Sequence, residues 1–328
     1  MLNLLSGRRR PVFVLAAALV SGALLTSACS ASSGAGGGTG TSSSGASSSS
    51  APSSASSSAT KPAVALKPVH MKLLNTDGAT YGVGMPLIAY FNHRITDAKQ
   101  LQAKTTVTIN GKPAKGAWYF EYSDANKGYP IEGHFRTQNY WPAHAKIFIN
   151  MPVKGLSAGG GYGFGNSLNS SWSTGAAHIG IVNDATHKLT ITNDGRQYGT
   201  FPVSLGASDT PTANGTKVIM EKGLSVCMHG PGYDECGIKY TQRLTYGGEY
   251  LHSAPWNVKH IDSGVDSSNG CTNLLPADAE RLYHFLRVGD VVKYPNANGK
   301  HMQLGMGYGD WNVSWGDWQT GGLVSTTA

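Results

Sequence analysis

The sequence predicts a mainly β fold, a β-sandwich followed by a second β-rich domain with at least one helix. Two observations carry this expectation. Short segments alternate polar and apolar residues and are broken at frequent intervals by Gly, Pro and Asn turn signals. Helical spacing of apolar residues is clear in only one stretch, PADAERLYHFL at 276–286.

Ahead of these domains stands a leader. Arg8, Arg9 and Arg10 precede the apolar run VFVLAAALV and a zone of small residues ending at Cys29. A positive start, an apolar run of about 7–15 residues and small residues at the cut make a signal peptide, too short for a membrane span. Leu25-Thr26-Ser27-Ala28-Cys29 resembles a bacterial lipobox, in which the cysteine becomes the lipidated first residue. That places a lipoprotein signal at 1–28; a plain secretory leader is the alternative, and the three arginines also permit a twin-arginine type. Ser30 to Thr60 is almost wholly Ser, Ala, Gly and Thr. Such a chain is a flexible coil reaching about 30 Å, so 29–65 reads as an anchor cysteine and a stalk that hold a domain away from a membrane.

The formal net charge is +7, and loss of residues 1–28 removes three arginines and no acid, leaving +4. This mild excess suits an anionic wall or leaflet. Without basic blocks interleaved with aromatics it offers nucleic acid no footprint.

Residues 66–173 read as the sandwich. TVTING (106–111) and KIFINM (146–151) alternate at period two, and Asn110-Gly111-Lys112-Pro113 marks a turn. The glycines at 159–161 and the stretch 167–174 read as the approach to the next domain. That domain, 174–295, opens with the runs HIGIV (178–182) and KLTIT (188–192). Asn193-Asp194-Gly195 and a further strand through Phe201 follow, Asp-Gly being a strong two-residue turn. The helix at 276–286 has Pro276 near its start, Gly289 past its end, and Ala279, Leu282, Tyr283 and Leu286 on one face. VVKY (291–294) returns to strand. Residues 296–328, with Trp311, Trp315 and Trp318, are expected to pack back on the catalytic domain rather than to stack on a glycan.

If Cys29 carries lipid, three cysteines remain outside the membrane, an odd number. Cys227 and Cys236 flank the loop MHGPGYDE, and a disulfide is their natural pairing. A zinc site of Cys227, His229, Cys236 and Cys271 is the rival, but its spacings match no familiar pattern. Cys271 is then a lone thiol within Asn269-Gly270-Cys271-Thr272-Asn273, where glycine and successive N–H groups could receive an oxyanion. His252, nineteen residues upstream at the end of a strand-like run, is the candidate base that lowers the thiol pKa and takes its proton. Spacing alone leaves open a buried structural cysteine and a satisfied strand-end histidine.

HSAPW (252–256) followed by SSNGCTNL (267–274) resembles the signature of the LD-transpeptidases of YkuD type. The likeness extends to TPTANGTKVIM (210–220), PADAERLYHFLRVGDVV (276–292), GDWNVSWGDW (309–318) and, in the preceding domain, GAWYF and NYWPAHAKIFI. It implies an immunoglobulin-like first domain. It also makes Cys271 the nucleophile, His252 the general base and Ser253 the residue whose carbonyl orients the imidazole. By the same resemblance Gly270, Cys271 and Asn273 line an oxyanion hole, Ser268 and Trp256 shape the pocket, and Met220 and Tyr233 belong to a flap over the donor. Two departures stand out: Asn269 replaces the family's usual histidine, and the flap carries the Cys227/Cys236 pair. Asparagine cannot take a proton, which leaves His252 as the sole base.

The reaction so implied needs no metal or other cofactor. Cys271 attacks the third residue of a peptidoglycan tetrapeptide stem, expels D-alanine and forms a thioester, which an amine of a neighbouring stem resolves into a 3→3 crosslink. Carbapenem-type β-lactams are expected to acylate the same thiol. The alternatives are an LD-carboxypeptidase or protein attachment to peptidoglycan by the same chemistry, and a non-enzymatic wall-binding module.

Overall fold

The computed structural model describes residues 65–123, 126–230 and 233–327. The expected leader, Cys29 and almost all of the stalk lie outside the described residues.

The first domain is an immunoglobulin-like sandwich. One sheet runs Thr80–Tyr81, Leu168–Thr174, Lys146–Met151, Thr106–Ile109 and Lys112–Ala114; the other runs Met71–Leu73, Leu87–Phe91, Ile131–Arg136 and Ala117–Tyr122. Alternation does the work here: in Lys146–Met151 every second side chain (Ile147, Ile149, Met151) enters the core, where Trp118, Trp141, Trp172, Phe91 and Phe120 are also buried. Asn110 and Gly111 both have positive φ, closing Thr106–Ile109 onto Lys112–Ala114 as the two-residue turn requires. The glycines at 159–161 are a turn between Ser157–Gly159 and Tyr162–Phe164, and Leu168–Thr174 is a full strand of the sandwich. The sandwich therefore runs through Thr174, one residue past the expected bound at 173.

The second domain is built on one nine-stranded sheet. Edge to edge it runs Gly215–Val218, Val291–Tyr294, His178–Asn183, Lys188–Asn193, Arg196–Ser204, Thr272–Leu274, Tyr250–Ser253, Tyr233–Arg243 and Glu221–Gly230. Its two edge strands are separated by only Ile219 and Met220, so the sheet must curl until its edges approach. Ile219 N–H donates to Asp290 O beside one edge, and Met220 N–H donates to Arg243 O beside the other. The helix Pro276–Phe285 covers the strands Tyr233–Arg243 and Tyr250–Ser253, burying Ala279 and Leu282. Leu189, Ile191, Val203, Leu251, Leu274 and Tyr294 fill the core.

The two domains meet across a tight seam. Gly82 and Gly84 N–H groups donate to the Val288 and Gly289 carbonyls. A Cβ on Gly82 would lie 2.1 Å from Asp290 N, so only glycine fits there. The C-terminal segment corrects the expectation from sequence. His301 to Asn312 does lie against the catalytic sheet, Asn312 bonding Thr216 through both its amide atoms, but the tryptophan side chains at 311, 315 and 318 pack on the sandwich. Trp318 is buried, donates its indole N–H to Ala117 O at 2.9 Å and stacks on Tyr119, while Val324 joins the sandwich core. Trp311 donates to Gly84 O, and the Arg136 guanidinium lies over the Trp311, Trp315 and Trp318 rings. The sandwich offers these rings an aromatic ledge and a cation, which decides where they settle.

Candidate active site

Two adjacent parallel strands bring the key residues together. Tyr250–Ser253 pairs with Thr272–Leu274, with His252 opposite Asn273 and Leu251 opposite Thr272, so Cys271 stands at the mouth of the second strand. The crossover between them contains the turn Pro255–Asn257 and the helix Val258–Ser263, which ends at Gly264 in a left-handed conformation. Asp266 then anchors the returning loop, accepting from Leu205 N–H at 2.7 Å and pairing with His187.

The turn carrying Cys271 is tied internally. Ser268 Oγ donates to Cys271 O at 2.6 Å and accepts from Gly270 N–H at 3.2 Å; Thr212 Oγ1 donates to Gly270 O. Gly270 holds φ +103°, which a side chain would strain. The Gly270 N–H, expected to line an oxyanion hole, is hydrogen-bonded to the Ser268 hydroxyl in this structure. The Cys271 N–H has no hydrogen-bond partner among the described residues.

A cavity of about 410 Å³ opens over this turn, lined by His252, Trp256, Ser268, Asn269, Cys271 and Asn273 from below. Met228, Tyr233, Glu235 and Ile238 line it from above. The upper residues belong to the long hairpin Glu221–Gly230 and Tyr233–Arg243, which projects past the sheet as a flap. Cys227 and Cys236 are disulfide-bonded across that hairpin and so cannot serve as zinc ligands, and Cys271 is the free cysteine among the described residues. Met220 departs from its expected place. It sits where the chain crosses between the two sheet edges and packs with Met85, Ile88 and Tyr308 at the domain seam, away from the cavity.

The His252 ring is held in one tautomer. Its Nδ1–H donates to the Ser253 carbonyl at 2.9 Å, leaving Nε2 as the free base, and Trp256 stacks on it at 5.9 Å between centroids. Burial depresses the His252 pKa, the Ser253 carbonyl pulling the other way, so the imidazole rests neutral. Burial likewise pushes the Cys271 thiol up to about 12; the Tyr250 N–H opposes this, Glu249 adds to it and Lys217 counters. The sequence reading expected a thiol lowered by its histidine. Instead the resting pair is thiol and imidazole, with the S–H donating to Gly248 O at 3.4 Å. Burial among Met228, Ile238 and Tyr233 also shields the thiol from oxidants.

Asn273, 3% exposed, turns a side-chain carbonyl with no partner into this region. Asn269 is exposed at the rim. Sequence reasoning missed Gly248, Tyr250, Glu235 and Met228. Backbone groups leave no signal in a sequence, and the flap residues gain meaning only once the hairpin folds over the turn. Two clusters could in principle hold a cation, Glu121/Glu132/His134 and Asp184/His187/Asp266. In the first, His134 donates Nδ1–H to Asp310 at 2.8 Å and lies 3.3 Å from Glu132 through Nε2. Neither is part of this cavity.

A neutral thiol and a neutral imidazole line one cavity beneath a flap, with a free backbone N–H and an unpartnered amide oxygen beside the sulfur, the groups that cysteine acyl-transfer chemistry uses. Residues 177–293 match the family described as L,D-transpeptidase catalytic domain, and residues 39–157 match the bacterial Ig domain. L,D-transpeptidase 2 of Mycobacterium tuberculosis is 26% identical over 266 residues, covering 77% of this chain and 63% of that protein. L,D-transpeptidase 5 of the same species is 27% identical over 261 residues, covering 77% and 56%. The chain thus spans less than two thirds of the length of these two relatives. Among solved structures, the LD transpeptidase LdtMt1 in complex with imipenem superimposes with a TM-score of 0.56 at 25% identity, covering 70% of this chain and 99% of that one. An L,D-transpeptidase from Mycobacterium smegmatis gives 0.55 at 26%, covering 70% and 100%. Residues 177–293 thus carry a YkuD-type L,D-transpeptidase catalytic domain, behind an immunoglobulin-like one.

Proposed function

We propose that this protein is an L,D-transpeptidase that forms 3→3 crosslinks between peptidoglycan stems through a thioester on Cys271. The observation that carries the reading is the His252–Ser253 hydrogen bond, which fixes a neutral imidazole with a free Nε2 in the cavity that holds the thiol.

The donor stem enters beneath the flap, and the Cys271 sulfur attacks the carbonyl carbon of the third residue. As the S–C bond forms, His252 Nε2 takes the thiol proton. The carbonyl oxygen becomes an oxyanion facing the Cys271 N–H, with the Asn273 side chain alongside. Collapse breaks the C–N bond to the terminal D-alanine, whose nitrogen takes the proton from His252. The amine of a second stem then attacks the thioester and passes a proton to His252, and as the C–S bond breaks the departing sulfur takes that proton, restoring the thiol and the neutral imidazole. The energy of the first peptide bond is kept in the thioester, so the exchange needs no other driving force. Asn269 can shape the turn but cannot join the proton transfers.

Acylation by carbapenem-type β-lactams belongs to the same proposal. One solved relative is in complex with imipenem, and L,D-transpeptidase 3 of Mycobacterium tuberculosis carries a faropenem-derived adduct. So does the setting: the leader and Cys29 support a protein exported and lipid-anchored at the outer face of the membrane, with the stalk carrying the domains toward the wall. The test is incubation of the soluble domains with purified muropeptides and mass analysis of the products. A crosslinked dimer lacking one D-alanine is expected; a tripeptide alone would replace the reading with an LD-carboxypeptidase.

A further inference from the structure

Behind the cavity lies a charged pair that the steps above do not use. Lys217 is fully buried, an expensive place for an ammonium unless it is paired and hydrogen-bonded. Its Nζ donates to Glu249 Oε2 and lies over the Tyr294 ring, 3.9 Å from the centroid. Lys217 comes from an edge strand of the nine-stranded sheet, whereas Glu249 immediately precedes the strand of His252. The curl of the sheet brings them together.

Both of Lys217's contacts lead to the nucleophile. Glu249 Oε1 accepts from Ala213 N–H at 2.7 Å, its N–H donates to Thr245 Oγ1 and its carbonyl accepts from Leu244 N–H at 2.8 Å. Those bonds immobilise the 245–249 turn, whose Gly248 carbonyl receives the Cys271 S–H. Tyr294 shares a 2.7 Å hydrogen bond with Thr272 Oγ1, and Thr272 follows Cys271 directly. One ammonium thus braces the residue after the thiol's acceptor and, through Tyr294, the residue after the thiol.

We propose that Lys217 and Glu249 are positioning residues for Cys271, a charge-matched pair that fixes the Gly248 carbonyl and Thr272 and so holds the nucleophile as a hydrogen-bonded thiol until substrate arrives. Charge balance is what makes the pair suitable. Glu249 works against thiolate formation and Lys217 favours it, so a matched pair leaves the sulfur's protonation to burial and to His252. The other titratable groups around the sulfur are Tyr233 and Glu235 from the flap, Tyr250 and His252 from one strand, and Tyr294 behind. Among them and the pair, Lys217 is the only ammonium. The inference rests on the transpeptidase reading for its purpose, but its test reads the thiol directly and stands whether or not muropeptides turn over.

The experiment is the pH profile of Cys271 alkylation by iodoacetamide in the soluble domains, with the flap disulfide intact. Lys217→Met leaves Glu249 unbalanced and should slow alkylation at pH 8 about tenfold, a shift of about one pH unit upward. Glu249→Gln removes the carboxylate that works against the thiolate and should speed it about tenfold, with the profile moved downward. The double variant should return to within about twofold of the parent, and Lys217→Arg should keep the parental profile. Should Lys217→Met fail to fold, Glu249→Gln and the double variant decide the matter. Profiles that stay put, or move the same way in both single variants while the melting temperature falls, would reduce the pair to a staple of the curled sheet and overturn the proposal.

Discussion

His252 and Asn273 face each other in register across two parallel strands, and that pairing alone sets the geometry of the site. It places the proposed base on one strand and the amide proposed to flank the oxyanion on its neighbour, with the thiol two residues before that amide. Because parallel strands cannot be joined by a hairpin, a crossover must separate them. That crossover supplies the Trp256 ring over the imidazole and the Ser268 hydroxyl that ties the nucleophile's turn.

Cys271→Ala should abolish both muropeptide turnover and the mass shift produced by a carbapenem, since each needs the sulfur. Intact-protein mass spectrometry after incubation with imipenem checks this. An adduct that survives in the alanine variant would remove Cys271 from the nucleophile's role.

His252→Ala should slow acylation by about 10²–10⁴-fold, as for loss of a positioned base. Asn269→Ala should cost on the order of one hydrogen bond, about 1 kcal/mol, because Asn269 lies exposed at the rim and carries no proton. The pH profile adds a sign. With its pKa depressed by burial, His252 stays a competent base below the ordinary imidazole value of 6.5, so the acid limb of acylation should fall on the low side of it. Equal losses in the two variants would make the loop position catalytic in its own right.

What the sequence revealed was local. The hairpin at 178–193, the helix from Pro276 and the lone cysteine beside glycine are each specified by a few neighbouring residues. The motif around His252 and Cys271 was legible because both lie on adjacent strands joined by one short crossover. What escaped depends on closure over long separations. Lys217 meets Glu249 only because the sheet curls, and Met220 could be placed in the flap only while that curl was unknown, since it sits at the joint between edges. The tryptophans at 311, 315 and 318 announced burial but not a partner; the sandwich won them through Tyr119, Arg136 and the Ala117 carbonyl.

The Cys227–Cys236 disulfide should matter to substrate binding more than to chemistry. It joins the two strands of the flap one residue from Met228, which lines the cavity, and does not touch the base or the thiol. Closing a loop of this length is worth on the order of 2–3 kcal/mol against opening. In native protein a single thiol should alkylate without reductant. The variant with both cysteines changed to serine should show a raised KM for donor stems and a kcat within about threefold of the parent. A kcat that collapses while KM holds would mean that the flap orders the catalytic turn itself.

Glu121→Gln should stabilise the protein at alkaline pH and leave it nearly unchanged in acid. Glu121 sits at the seam with His134, Glu132 and Asp310, its residue 8% exposed. Burial lifts its pKa from 4.5 to about 7, with His134 opposing and Asp310 and Glu132 adding to the shift. The folded state therefore binds more protons than the unfolded state between those two values. Its contribution to stability is complete below about pH 4.5 and is lost as pH rises through about 7. Glutamine mimics the protonated carboxyl: its oxygen can keep the Gly305 N–H bond and its amide can donate into the cluster, with no charge to bury. Melting temperatures at pH 4.5 and pH 8 measure the effect. The variant should match the parent at the lower pH and exceed it at the higher. A loss of stability at pH 8 would show instead that the ionised carboxylate is needed to hold His134, and that the seam is closed by an ion pair rather than by a shared proton.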